Sequence, residues 1–171
     1  QALVQHLSDL GHRRIGCVIG SPDFTFVHYQ LQGFRGAMDA CGLSLDDDLF
    51  VQADLTQRGG YGAAQTLLSQ SEPPTAIVAS NDLMALGVMS AAQDQGLDVG
   101  RDIAIAGFDD IPLAETSHPT LTTVRLPAHR VGQLMGNMLV ALARGETLAE
   151  PQTLVAPSLI IRQSTSLDLW L

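Results

Sequence analysis

Short apolar runs alternate along this chain with longer stretches whose apolar residues recur at helical spacing. The apolar runs are bounded by Gly, Pro, Asn or Asp, and this pattern predicts buried strands at 14–19, 49–53, 75–79 and 102–106. The helical spacing predicts helices over 2–10, 29–41, 59–69, 82–95 and 128–144. Strands that alternate with helices indicate parallel βαβ units, and therefore an α/β fold with a doubly wound parallel sheet and helices on both faces.

The stretch 102–123 joins the last of these strands to a long polar loop. Its apolar run is expected to break at Gly107, so that Asp109 and Asp110 lie just past the end of the strand. In open α/β sheets, ligands bind beyond the carboxyl ends of the strands. One more strand is predicted at 153–161, where Pro157 indicates a sheet edge or a bulge.

Polar acceptors follow each of the four predicted parallel strands, and parallel strands bring such loops to one edge of the sheet. These acceptors are Asp23, Asp54, Asn81 with Asp82, and Asp109 with Asp110. Carboxylates and amides arranged in this way are typical of sites for sugars and nucleosides, because each takes hydroxyl donors. A structural role remains open for several of them, since Asn and Asp are also preferred helix N-caps and turn residues.

The charge of the chain excludes several functions. The 171 residues carry a net charge of −9, and all nine basic residues are arginine. Without lysine there is no phosphate-loop or Schiff-base lysine, and such an acidic chain is expected to repel the phosphate backbone of DNA. The sequence has neither a nucleophile elbow nor metal-ligand spacing, so we expect no catalytic residue, no metal site, no cofactor and no enzyme activity.

Cysteine use and hydropathy bear on the compartment. Cys17 and Cys41 are predicted to be small core residues of a protein in a reducing compartment, and the expected location is the cytoplasm. No apolar run approaches the roughly 20 residues of a membrane span. The chain starts at Gln1 without an initiator Met or a basic leader, so we expect a fragment of a longer protein.

Several motifs occur in the order found in a known family. The sequence Gly-Phe-Asp-Asp at 107–110, followed by Pro-x-Leu-Thr-Thr-Val at 119–124, resembles the effector-binding domain of LacI/GalR-type transcription repressors. Further matching segments lie at 10–15, 33–35, 79–87 and 161–165. This resemblance implies one lobe of a two-lobed domain similar to periplasmic sugar-binding proteins.

The resemblance also implies a division of the chain and a set of partners. Residues 1–123 and the return strand 151–165 would form the C-terminal lobe, 124–150 would belong to an absent N-terminal lobe, and 166–171 would be a tail. The implied protein is a homodimeric regulator whose small effector, a sugar or sugar derivative, changes operator affinity. Operator DNA would bind only through an N-terminal helix-turn-helix absent from this chain. A periplasmic sugar-binding protein of a transporter is the alternative.

Within the predicted site, the resemblance singles out Asp109 as the ligand-contacting acid. Gln30 stands where the family usually has an arginine, and Leu55 stands where it often has an aromatic residue, so both departures change the predicted ligand contacts. Phe24 and Phe26 could supply the missing stacking surface, or could only close the mouth of the lobe. The predicted ligand-binding residues are thus Asp109, Asn81, Gln30, Leu55, Phe26 and Phe24.

Two predicted helices have unusual apolar surfaces. The helix 82–95 is apolar on all sides over 83–92, which predicts either a dimer interface containing Met84, Val88 and Met89 or burial inside the lobe. The helix 128–144 has a broad apolar stripe that, by the resemblance, would pack on the absent lobe.

Overall fold

A computed structural model describes residues 1–148 and 150–166 of the chain. Its centre is a sheet whose strands, in chain order, are β1 (Ile15–Ile19), β2 (Phe50–Gln52), β3 (Ala76–Ala79), β4 (Ala104–Asp109), β5 (Thr122–Arg125) and β6 (Ser158–Ile160). In space the order is β2-β1-β3-β4-β5-β6. The first five strands run parallel, and β6 pairs antiparallel with β5 at the edge. The doubly wound parallel sheet predicted from the sequence is therefore confirmed.

Helices cover both faces of this sheet. They are α1 (Ala2–Asp9), α2 (Thr25–Ala40), α3 (Gln57–Leu68), α4 (Asp82–Asp94), α5 (Pro112–Thr116) and α6 (Ala128–Ala143). Because successive strand residues point to opposite faces, Cys17 and Val78 pack under α1 and α2, whereas Val18 and Ile77 pack under α3 and α4. The lobe thus has a separate apolar core on each side of the sheet.

The helices α3 and α4 pack against each other at backbone distance. A Cβ atom added at Gly87 would lie 1.9 Å from the carbonyl oxygen of Gln57, and one added at Gly60 would lie 2.1 Å from that of Met84. This close approach encloses the side of α4 that faces α3, and another side of α4 packs on the sheet. The sheet and α3 therefore each cover one side of α4 from within the lobe.

The close packing corrects the interface residues predicted on α4. Met84, Val88 and Met89 are almost completely buried within this single chain, in the core between the sheet and α3. They have no exposed surface that a second copy could contact. The structure therefore agrees with the alternative prediction, which was burial inside the lobe. The side of α4 that remains open carries Leu83 and Leu86 instead.

Some predicted boundaries were wrong. The strand β4 does not break at Gly107 but continues to Asp109, because Gly107 serves a close approach: its Cβ would lie 2.3 Å from Asp82 Oδ1. The helix α2 starts four residues earlier than predicted, at Thr25, and the loop after β4 contains α5. The last strand is confined to Ser158–Ile160, after Pro157, and its place at the sheet edge is confirmed. The predicted tail lies outside the described residues except for Ser166.

The helix α6 stands apart from both cores, since none of its residues is buried. Its most exposed apolar side chains include Met135, 58% exposed, and Leu139, 65% exposed. In the described part of the chain, no helix combines the length and hydropathy needed to cross a membrane.

Candidate functional site

A cavity of about 840 Å³ opens at the carboxyl ends of the strands and extends under α1 and α2. Five of the six residues predicted to bind ligand line it, namely Phe26, Gln30, Leu55, Asn81 and Asp109. Phe24 is not part of the wall, but its ring packs nearly parallel to that of Phe26 with the centroids 5.8 Å apart. The topology therefore brings together most of the residues singled out from the sequence.

Asp109 ends β4 in an unusual backbone conformation. Its φ angle is 113°, and that of the next residue, Asp110, is 57°, both in the left-handed region that non-glycine residues seldom adopt. Such conformations cluster at ligand-binding positions, where the surroundings hold them. Partial burial, with a smaller contribution from the neighbouring Asp82 carboxylate, raises the pKa of the Asp109 carboxyl to about 6. No hydrogen bond within the described residues occupies this carboxyl group.

The acid of the Asn81-Asp82 pair has a structural role in the lobe. Asp82 is fully buried and accepts hydrogen bonds from Thr123 Oγ1 at 2.5 Å and from the backbone N–H of Ile111 at 2.8 Å. Burial raises the pKa of its carboxyl, while these two hydrogen bonds act in the opposite direction. Asp82 thus ties the start of α4 to β5 and to the loop after β4.

The remaining strand-end acceptors are also used by the fold. Asn81 Oδ1 caps α4 by accepting from the N–H of Met84 at 2.8 Å, and its Nδ2 donates to the carbonyl oxygen of Leu55 at 3.1 Å. Asp54 accepts from Thr56 Oγ1 at 2.5 Å in its own turn, and it lies outside the cavity wall. Asp23 accepts from the hydroxyl of Ser21 at 2.9 Å. These residues therefore have the structural roles, as helix caps or turn residues, that the sequence analysis left open.

Gln30, in contrast, keeps one polar atom free. Its Nε2 donates to the carbonyl oxygen of Ser80 at 3.0 Å, which fixes the orientation of the amide because a carbonyl can only accept. Its Oε1 is buried and has no hydrogen-bond partner. Since a buried unpaired acceptor is costly, this atom is suited to a donor group of a bound molecule.

Most of the cavity wall is apolar. Leu55, Phe26 and Phe108 contribute to it, and so does Tyr29, an exposed residue that the sequence analysis did not single out. Among the described residues, the wall contains no arginine or histidine, so its only carboxylate, that of Asp109, has no cationic side chain as a partner there. Across the same part of the chain, no three His, Cys, Asp or Glu side chains form a group that could hold a metal.

The residue after Asp109 is engaged in a different way. Asp110 accepts a hydrogen bond from Arg125 Nε, and its Oδ1 lies 2.7 Å from Arg162 Nη2. Although burial acts to raise it, these two guanidinium groups hold the pKa of the Asp110 carboxyl below its usual range. The sequence did not predict these pairs, since Arg125 and Arg162 are 37 positions apart and meet only through the β5–β6 pairing.

Comparison with known proteins agrees with this architecture. Residues 4–165 match the family model of the periplasmic binding protein-like domain. The chain belongs to this family. Its relatives include transcription repressors and a regulatory protein of the LacI family, and the resemblance to LacI/GalR-type regulators is confirmed.

Three relatives illustrate the similarity. The chain is 38% identical over 162 residues to the HTH-type transcriptional repressor CytR of Escherichia coli strain K12, covering 95% of this chain and 48% of that protein. It is 38% identical over 160 residues to the ribose operon repressor of the same strain, covering 94% of this chain and 48% of that protein. The structure of the transcriptional regulator CelR in complex with cellobiose matches with a TM-score of 0.89 and 33% identity, covering 94% of this chain and 49% of that one. The chain therefore spans about half the length of the curated relatives it matches.

Proposed function

We propose that this chain is the C-terminal lobe of the effector-binding domain of a LacI/GalR-type transcription regulator, and that its cavity forms one wall of the effector site. The free carboxyl of Asp109, at the end of β4 and in the cavity wall, is the observation that carries the proposal. A second lobe, to which 124–150 would contribute, supplies the opposite wall. Effector binding between the lobes changes their relative position and thereby the affinity for operator DNA.

The chemistry of the wall supports an uncharged sugar as effector. The Asp109 carboxylate and Gln30 Oε1, two polar groups of the wall that have no hydrogen-bond donor within the described residues, are acceptors and suit hydroxyl donors. Because Gln30 stands where the resembled family usually has an arginine, and no arginine or histidine side chain lines the described wall, this wall has no cationic side chain to neutralise a phosphate. The ribose operon repressor and the CelR–cellobiose complex are relatives whose names contain neutral sugars.

The proposed role includes the partners inferred from the sequence. DNA contact is assigned to a helix-turn-helix outside this chain, because the lobe is acidic and a phosphate backbone is repelled by net charge of the same sign. The regulator is cytoplasmic and is not an enzyme, in agreement with relatives that are named as repressors.

We also propose a homodimer through the open side of α4. Leu83, 41% exposed, and Leu86 lie on this side, and Leu113, 54% exposed, lies on the adjoining α5. Both ends of α5 are tied to α4, because the N–H of Ile111 donates to Asp82 and Gln93 donates to the carbonyl oxygen of His118. The three leucines therefore lie on two linked helices, and a two-fold contact would bring the same leucines of both copies together.

Calorimetry on the full-length protein tests the effector site. We expect binding of D-ribose or cellobiose and at least tenfold weaker binding of ribose 5-phosphate. Asp109→Asn should weaken the sugar affinity by about 1.5–3 kcal/mol, the usual contribution of hydrogen bonds to a charged group. Asp23→Asn is the matched control, because Asp23 also follows a strand but bonds only within its own loop. Tighter binding of the phosphate ester would contradict the proposed ligand charge, and equal affinity of Asp109→Asn and parent would remove Asp109 from the site.

A further inference from the structure

The carboxylate of Asp110 holds three separate segments together. It follows β4 directly, it accepts from Arg125 at the end of β5, and it pairs with Arg162 just after β6. The Asp110 side chain is only 7% exposed, so both pairs are shielded from water on the carboxylate side. Arg162 is fixed further, since its Nη1 donates to the carbonyl oxygen of Leu121 at 2.8 Å. One buried charge thus links the loop after β4 to the two strands at this end of the sheet.

These two strands are the segments by which the chain leaves and re-enters the sheet. After Arg125 the chain passes into α6, none of whose residues is buried, and it returns to the sheet at Ser158. Arg125 and Ser158 are directly paired in the antiparallel β5–β6 ladder. Asp110 therefore forms ion pairs with both the outgoing and the returning segment, close to where each segment leaves the sheet.

The same carboxylate is one residue away from the proposed ligand contact. Asp109 lines the cavity and Asp110 does not, yet a single peptide unit joins them and both have positive φ angles. The backbone N–H of Asp110 donates to Thr123 Oγ1 at 3.3 Å, and that hydroxyl donates to Asp82. The contacts around Asp110 leave this loop little freedom. A bound molecule that displaces Asp109 must therefore also displace Asp110.

We propose that Asp110 is a positioning residue that transmits ligand contact at Asp109 to the orientation of the crossing strands β5 and β6. This inference rests on the proposed function, in which these strands lead into the second lobe. Asp110 acts through Arg125 and Arg162 and does not touch the ligand. Its removal is therefore expected to separate ligand affinity from the response to the ligand.

The decisive quantity is the coupling between the two binding events. For the full-length protein we would measure the dissociation constant for a DNA duplex that it selects from a random pool, with and without saturating D-ribose or cellobiose. The ratio of the two constants is the coupling factor, which in allosteric proteins is typically about 5 to 150. A merely structural residue would change stability without changing this ratio at saturation.

Four variants distinguish a positioning role of Asp110 from a merely structural role. Asp110→Asn should bring the coupling factor to within about twofold of 1 while sugar affinity changes less than about fivefold. Arg125→Gln, which removes one arm of the contact, should lower the factor partially, and Asp110→Glu should restore it. Asp98→Asn removes the exposed pair with Arg101, at 2.9 Å, and is the matched control that should leave the factor unchanged.

A second measurement needs neither sugar nor DNA. Hydrogen exchange of the β5 and β6 amides should accelerate at least tenfold in Asp110→Asn relative to the amides of β1 and β3, and not in Asp98→Asn. Unchanged exchange in β5 and β6 overturns the inference, as does an Asp110→Asn protein that binds sugar and keeps the coupling factor of the parent. A parent protein that binds no sugar and shows no response to it refutes the proposed function instead, while the exchange experiment still decides on the contact.

Discussion

At the scale of single residues, the strand-end acceptors differ in how much of their hydrogen-bonding capacity the fold has already used. Both polar atoms of the Asn81 side chain form hydrogen bonds, one as the cap of α4 and the other to the Leu55 carbonyl. In contrast, the Asp109 carboxyl and Gln30 Oε1 have no hydrogen-bond partner within the described residues. The pattern of strands and loops placed Asn81 and Asp109 at the same edge without ranking them, and only the family resemblance singled out Asp109. Caps, turns and ligand contacts use the same residue types, and only three-dimensional neighbours decide between these roles.

The pKa of Asp109 gives this residue a measurable signature. Because the folded chain raises it from 3.8 to about 6, the folded state binds this proton more tightly, and the residue's contribution to the free energy of unfolding declines as pH rises from 3.8 through 6. A sugar that donates to the carboxylate competes with that proton. We expect the affinity for D-ribose or cellobiose to fall by up to tenfold per pH unit below about pH 6.

Calorimetry at about pH 5, 6 and 7.5 on the full-length protein measures this dependence. In Asp109→Asn the affinity should be lower and nearly constant, because an amide does not titrate over this range. A parent protein whose sugar affinity is as strong at the lowest pH as at the highest would show that the ligand does not bind the ionised Asp109.

At the scale of helices and strands, the alternation of elements followed from the hydrophobic pattern, but several boundaries and the buried sides of α4 did not. That helix is apolar on all sides over 83–92, so periodicity could not tell which side meets the sheet, which meets another helix and which meets solvent. Gly60 and Gly87 let α3 and α4 approach closely. These two glycines could have indicated the helix contact from the sequence, but they were not used in the prediction. Met84, Val88 and Met89 were assigned to a dimer interface because this helix contact was not anticipated.

Gly87 is expected to be the most sensitive position of this helix pair. In Gly87→Ala the new Cβ would fall 1.9 Å from the Gln57 carbonyl oxygen, which belongs to the backbone and cannot move without shifting α3. The free energy of unfolding should decrease by about 1–3 kcal/mol or more. Gly62→Ala in α3 is the control, because nothing lies within 4 Å of its Cβ and alanine favours a helix, so it should gain about 0.5–1 kcal/mol. Urea denaturation of both variants tests the contact, and a neutral Gly87→Ala would disprove it.

At the scale of the whole molecule, the doubly wound parallel sheet, the helical layers on both of its faces and an edge position for the last strand could be expected from the sequence. Each depends on local breakers and on the rules of βαβ connection, which act over short distances. The pairing of Asp110 with Arg125 and Arg162 could not be expected, because it depends on the register between β5 and β6 across the intervening α6. The extension of β4 to Asp109 was not predicted, because a glycine in a strand pattern can mark either a turn or a close approach of another segment.

The proposed dimer concerns the open side of α4. Leu86→Glu would bury a charge in the contact between copies, and a buried unpaired charge is strongly unfavourable. Light scattering at tens of micromolar should therefore show a dimer for the parent and a folded monomer for Leu86→Glu. Leu45→Glu, at an exposed leucine in the loop before β2, is the control that should stay dimeric. A monomeric parent, or a Leu86→Glu protein that remains dimeric, would place the contact elsewhere or exclude it.

The exposed helix α6 allows a test of how the chain is divided between two lobes. Met135 and Leu139 contact no core of this lobe, so Met135→Gln with Leu139→Gln should change the unfolding free energy of the 171-residue chain by less than about 0.5 kcal/mol. If α6 packs on a second lobe, the same pair should destabilise the full-length protein by roughly 1.5–3 kcal/mol for each fully buried side chain. Asn137→Ala, an exposed polar position on the same helix, should leave both proteins unchanged. Equal losses in both proteins would show that α6 is part of the present lobe, and no loss in either would show that its apolar side stays in solvent.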